Sequence, residues 1–340
     1  MKKLIFSLFL IPATFSAQKT VSRDAEIANY VSQVSADSLK SHINKLVSFG
    51  TRHTMSSTTD AKKGIGAARN WVLSKFRNYA KNSDGKMEVF LNNETILPDG
   101  KRINQATDLG NAIAILHGTD PNDKRIFMIG GHLDSRVSDV MNAKDFAPGA
   151  NDDGSGVGAV IESARVLSQS KFPATIVFVT FSGEEQGLLG AKMLAEKAKN
   201  ENWQLEALLN NDMIGNNLTS ETNLINANQL RVFSEGLPQF DLDKKAQGIR
   251  NLGLENDGEA RQLARYIKEI GERYVDNLEV KLIYRNDRFL RGGDHTSFVN
   301  QGFSAVRLTE FNENYDHQHQ DIRKENGKQF GDLPEFMDFE

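Results

Sequence analysis

Apolar positions along this chain follow two periods, and the change from one to the other marks its elements. Ile27, Val31, Leu39, Ile43 and Leu46 recur at helical spacing through 24–50, and Ile65, Trp71, Val72 and Phe76 do so through 62–81. Short apolar runs bounded by polar turns read as strands over 87–91, 111–116, 125–130, 174–181, 205–209, 280–284 and 304–308. Helical stretches over 156–167, 190–199 and 258–274 separate them. Strands alternating with helices predict an α/β fold: a three-layer α/β/α domain with a central mixed, mostly parallel sheet and helices on both faces. Residues 216–258 are rich in Asn, Gly and other polar positions and read as a surface excursion.

Sites in such sheets form outside the carboxyl ends of strands. Acidic and histidine residues gather there. Gly-Gly-His132-Leu-Asp134 follows the run at 125–130, Glu184-Glu185 follows 174–181, and Asp212 follows 205–209. Asn151-Asp152-Asp153 precedes the helix at 156–167, and Gly-Gly-Asp294-His295 is read as a further strand exit. Two histidines with an Asp, a Glu and another Asp make a carboxylate-rich donor set that suits zinc or a similar divalent ion.

Each pair divides its labour. His132 and Asp134 are two apart in extended chain and share a face, so one can bind a metal while the other supports it. Glu184 and Glu185 point apart on a turn, so one can ligate while the other faces water as a base. Asp152-Asp153 alone would be a helix cap. The glycines at 154, 156 and 158 do not make a dinucleotide loop, because Ala159 stands where that spacing needs a glycine. His317 and His319, flanked by Gln318 and Gln320, read as an exposed loop and not as ligands. His42, His53 and His117 have no acidic cluster near them in sequence and are read as ordinary histidines.

Composition narrows the class. The chain has 340 residues, 39% hydrophobic and 25% charged, which fits a globular protein. Net charge is −4 and no dense basic run occurs, which argues against nucleic acid as a partner. Lys2-Lys3, the apolar core at 4–11 and the small residues Ser16 and Ala17 read as a signal peptide over 1–17. That apolar stretch is too short to span a membrane, and no other approaches the length. The expected location is therefore the periplasm or outside the cell. There is no cysteine, hence no thiol nucleophile, thiolate ligand or disulfide.

Taken in order, His132-x-Asp134, Asp152, Glu184-Glu185, Asp212 and His295 resemble the motif set of the exported co-catalytic di-zinc aminopeptidases. That superfamily also holds glutamate carboxypeptidases and glutaminyl cyclases. The resemblance runs from about residue 87 to about residue 320. It implies two Zn²⁺ per chain bridged by Asp152, with Glu185 and His295 completing one ion's set and His132 and Asp212 the other's. It implies Glu184 as general base, Asp134 as the support of His132, and removal of N-terminal amino acids from peptides through a metal-activated bridging water. Three carboxylates and a bridging hydroxide would cancel the four charges of two Zn²⁺, which makes burial affordable.

Family members usually continue into a further helix, so residues 18–340 are expected as a single domain, monomeric, that lacks its final C-terminal helix. Two rival readings remain. Arg285, Arg288 and Arg291 could grip a substrate carboxylate, as a carboxypeptidase requires, although ordinary ion pairs are the preferred account of them. A non-catalytic binding protein on the same fold would be expected to lack a ligand or the base, and none is missing. A glutaminyl cyclase is disfavoured because the full two-metal set is present.

Overall fold

The computed structural model describes residues 22–222, 224–235, 248, 251–284 and 292–339. The expected signal peptide and Arg285, Arg288 and Arg291 lie outside these residues. Besides a short hairpin near the C-terminus (Arg323–Glu325 with Lys328–Phe330), the described strands are β1 (Met87–Ile96), β2 (Thr107–Leu116), β3 (Arg125–His132), β4 (Thr175–Phe181), β5 (Gln204–Asn211), β6 (Gln229–Phe233), β7 (Glu279–Ile283) and β8 (Ala305–Glu310). β1 to β8 form one mixed sheet in the order β1-β2-β4-β3-β5-β8-β6-β7. Its centre, β4-β3-β5-β8, is parallel, and β1, β2 and β6 run against their neighbours there.

Seven α-helices with both ends among the described residues accompany the sheet: α1 (Ala25–Ser32), α2 (Ala36–Val47), α3 (Gly64–Ala80), α4 (Gly154–Leu167), α5 (Leu189–Asn200), α6 (Glu259–Tyr274) and α7 (Asp294–Asn300). Strand alternation assigns the faces. Ala112, Ala114 and Leu116 of β2 meet Leu46, Ile65, Val72, Phe76 and Val160 from α2, α3 and α4. Ile113, between them, joins Val177, Val179, Leu194 and Phe298, which brings in α5 and α7. Helices lie on both faces of the sheet, as expected. No described helix is long and apolar enough to cross a membrane.

Three expectations need correction. The helix at 24–50 is two, because Ser35 restarts the chain as an N-cap, its hydroxyl accepting from Ser38 N at 3.2 Å. The polar stretch from 216 contains β6, which is held by pairing with β7 and β8 rather than by its own apolar pattern. Asp294-His295 opens a helix: Gly293 is the N-cap of α7, and β8 comes only afterwards.

The central register places the site. His132, last in β3, pairs with Phe181, last in β4, and Gly130 of β3 pairs with Asn210 of β5. The chain segments that follow these three neighbouring strands therefore begin at one edge. The start of α4 seats against that edge. A Cβ on Gly156 would lie 2.3 Å from the Asn211 carbonyl oxygen, and one on Gly131 would lie 2.8 Å from the Gly156 carbonyl carbon. Those two glycines serve close packing.

Candidate metal centre

Asp153 ties the strand ends together. Its Oδ2 accepts from His132 N at 2.8 Å, and its Oδ1 accepts from Gly156 N at 2.9 Å and Met213 N at 3.2 Å. One carboxylate thereby caps α4 and fastens the ends of β3 and β5. Asp332, after β8, accepts from Asn151 N at 2.9 Å and Asp152 N at 2.7 Å, and burial pushes its carboxyl up to about 7. Arg52 is fully buried and donates to the carbonyls of Leu133, Pro148 and Gly149 at 2.7, 2.6 and 2.8 Å. Neither Arg52 nor Asp332 stood out in the sequence, since each acts on backbone far from it along the chain.

Asp152, so held, offers one oxygen to each of two histidines. Its Oδ1 lies 3.0 Å from His132 Nε2, and its Oδ2 lies 2.9 Å from His319 Nε2. Asp212 Oδ1 lies 3.9 Å from His132 Nε2, and Glu185 Oε1 lies 2.8 Å from His319 Nε2. Two donor groups result, His132–Asp152–Asp212 and Asp152–Glu185–His319, sharing Asp152. Despite its short distance to His319, Glu185 Oε1 is buried and has no hydrogen-bond partner. Carboxylate oxygens gathered in the interior with so few donors among them are what a cation site provides.

The electrostatics agree. Burial alone would lower both imidazoles. At His319 the carboxylates of Glu185 and Asp152 outweigh burial and push the pKa up to about 10; at His132 hydrogen bonding to Asp134 and Asp152, with the charges of Asp153 and Glu184, likewise pushes it well up. The centre draws positive charge to itself, and its oxygen and imidazole donors fit zinc.

His295, expected as a ligand, is not in either group. It is fully buried on α7, and its Nε2 lies 3.0 Å from Glu235 Oε1. His319, read from the sequence as an exposed loop residue, occupies the position that had been given to His295. The polar run from His317 to Gln320 concealed it: only the return of the loop after β8 brings that imidazole to Asp152. Gln318 comes with it, its Nε2 donating to Asp152 Oδ2 at 3.1 Å, while His317 stacks on Phe336 with ring centroids 3.8 Å apart. A His-x-His pair placed after the last core strand was the available signal. His42, His53 and His117 belong to neither donor group among the described residues.

Asp134 is fully buried and binds the Glu184 turn. Its Oδ1 accepts from Gly183 N at 2.9 Å and Glu184 N at 3.2 Å, and its Oδ2 from Glu185 N at 3.1 Å and Thr54 Oγ1 at 3.1 Å. His132 Nδ1 lies 3.1 Å from the Asp134 backbone oxygen and 3.7 Å from its carboxylate. Asp134 thus supports His132 partly through its main chain, and uses its carboxylate to set Glu184 and Glu185. Glu184 is half-buried, and its side chain makes no hydrogen bond among the described residues. Removal from water, opposed by His132 and reinforced by Glu185, Asp212 and Asp134, pushes its carboxyl up to about 8.

The chain matches the model of "Peptidase family M28" over residues 111–333. It is 43% identical over 316 residues to a probable zinc metalloprotease of Leptosphaeria maculans, covering 93% of this chain and 73% of that protein. For a similar relative from Pyrenophora teres the identity is 43%, and the share of the relative's own length is 65%. Among solved structures the fold is like that of the Legionella pneumophila LapA aminopeptidase, with TM-score 0.64 and 19% identity, covering 95% of this chain and 74% of that one. With so long a match to the family, and a relative of this identity matched over most of its length, the chain belongs to peptidase family M28.

Proposed function

We propose that this peptidase is an exported, zinc-dependent aminopeptidase that uses two Zn²⁺ per chain. The observation that carries the reading is Asp152, whose two oxygens face two separate histidine-and-carboxylate groups with Glu184 beside them. His132 and Asp212 would hold one ion, Glu185 and His319 the other, and Asp152 would bridge them. Divalent ions bound there supply Lewis-acid polarisation of the scissile carbonyl and lower the pKa of water towards about 7.

Glu184 is the general base in this reading. Its carboxylate takes the proton of the attacking water and passes it to the leaving amine. The interior that raises its pKa keeps it basic, and the positive charge of bound cations pulls it back towards ionisation. Asp134 keeps the turn in place, so Glu184 and Glu185 hold different directions. The acidic surroundings of Asp152, Glu184, Glu185 and Asp212 attract a substrate ammonium group and repel a terminal carboxylate. The likeness to an aminopeptidase fold supports the same choice.

Aminoacyl anilides with a free amine test it. They should be hydrolysed, and the same compounds acetylated at the amine should react slowly. Faster cleavage of N-blocked dipeptides with a free carboxylate would replace this reading with a carboxypeptidase, and would direct attention to Arg285, Arg288 and Arg291.

A further inference from the structure

We infer that the two metal positions are unequal, and that Arg307 makes the His132–Asp152–Asp212 position the weaker one. The inference rests on the two-ion reading above. Arg307 sits on β8, next to β5 in the sheet, and is 3% exposed. Its Nη2 donates to Asp212 Oδ1 at 2.8 Å, and its Nη1 donates to the Gly292 carbonyl. The carboxylate oxygen it occupies is the one that faces His132 Nε2. On the other side the backbone closes in, since a Cβ on Gly293 would lie 3.2 Å from Asp212 Oδ2 and 3.5 Å from Arg307 Cδ. Asp212 is therefore seated firmly, but with a guanidinium on its donor atom.

A guanidinium keeps its charge at any working pH. Placed on a ligand's lone pair it weakens that ligand as a donor, and in a buried site its repulsion of a cation is poorly screened. The other position is built differently. Arg136 approaches Glu185 only to 3.8 Å, and on Oε2, which leaves Oε1 facing His319 Nε2 at 2.8 Å with no guanidinium on it. Both positions share Asp152, so the contrast between them comes from Asp212 with Arg307 on one side and, on the other, Glu185, whose Oε1 faces only the imidazole of its own group. The Glu185–His319 position should fill first, and the His132–Asp212 position only at higher zinc.

Zinc titration of chelator-stripped protein against a competing chromophoric chelator, without substrate, tests this. Wild type should bind two ions with dissociation constants at least about tenfold apart. Arg307→Gln should tighten the weaker site by roughly 10–100-fold, the span over which groups touching a ligand tune affinity, and leave the tighter site unchanged. Arg307→Met is the parallel variant should the glutamine form not fold, and Arg307→Lys, which keeps the charge, should leave the weaker site weak. Asp212→Asn should remove the weaker ion alone. Equal sites in wild type, or a weaker site that loosens or stays put in both neutral variants, would overturn the role of Arg307 while two ions still bind. One ion in wild type and in every Arg307 variant would instead sink the two-ion reading.

Discussion

Two buried acidic clusters in this molecule hold a histidine each way. Around Glu162 every carboxylate oxygen is met by a donor. Its Oε1 accepts from Ser35 N at 2.8 Å and Arg165 Nη2 at 2.7 Å, and its Oε2 from Ser38 Oγ at 2.8 Å and Arg165 Nε at 2.9 Å. His42, 3.2 Å from Ser38 Oγ, is pushed down to about 4, chiefly by burial. Around Asp152 the carboxylates outnumber the donors, and His319 is pushed up to about 10. One arginine balances one glutamate in the first cluster, so an imidazolium there gains little. In the second, acidic charge is left over and any cation is welcome. The direction of the histidine shift thus separates a finished structural cluster from one that awaits an ion.

The sharpest way to break this contrast is to make the same substitution in both clusters. Glu184→Gln should lower kcat by about 10²–10⁴-fold and leave zinc content and melting temperature unchanged, since it removes a base and no ligand. Glu162→Gln should leave kcat near wild type and cost roughly 1–3 kcal/mol of stability, read from urea unfolding, because it weakens a buried carboxylate that accepts from Ser35, Ser38 and Arg165. An inactive but stable Glu162→Gln would erase the distinction drawn here.

A smaller effect is expected at Asp134, which touches the acidic centre without belonging to either donor group. Asp134→Asn should weaken zinc binding by roughly 10–100-fold, because it loosens the turn that sets Glu185 and the chain that supports His132. Unchanged zinc affinity would leave Asp134 as a turn residue only.

The smallest effect is a pH dependence whose sign differs between the clusters. His42 is held at about 4 in the fold, below the roughly 6.5 of an unfolded chain. Between those values the unfolded chain binds more protons, so this contribution to stability is complete above about pH 6.5 and is lost as pH falls towards 4. His319 runs the other way in zinc-stripped protein: its contribution is complete below about pH 6.5 and is lost as pH rises through about 10. Urea midpoints across these ranges, with His42→Gln flattening the acid limb and His319→Gln the alkaline one, measure both. Limbs of the same sign would contradict the comparison.

Local pattern was enough for most of the fold and for the donors that leave β3, β4 and β5, because a parallel sheet brings its strand ends to one edge. It was enough for Asp152 because the residues after it open a helix against that edge. It failed at the histidine of the second donor group. Asp294-His295 has an acidic neighbour and two glycines before it, yet α7 buries the imidazole against Glu235. His319 lies in a run of polar residues with no strand beneath it, and its place depends on how a long loop returns. Arg307 was hidden as well, since an arginine within an apolar strand gives no sign in sequence of the carboxylate it meets on the next strand.

The central claim is a two-ion centre closed by His319. Zinc per chain, measured by elemental analysis after equilibration with excess zinc and removal of the free ion, tests it most directly in wild type, His319→Ala and His295→Ala. The account predicts two zinc ions in wild type, loss of one in His319→Ala, and two retained in His295→Ala. One ion in wild type, or loss from His295→Ala with His319→Ala still holding two, would contradict it.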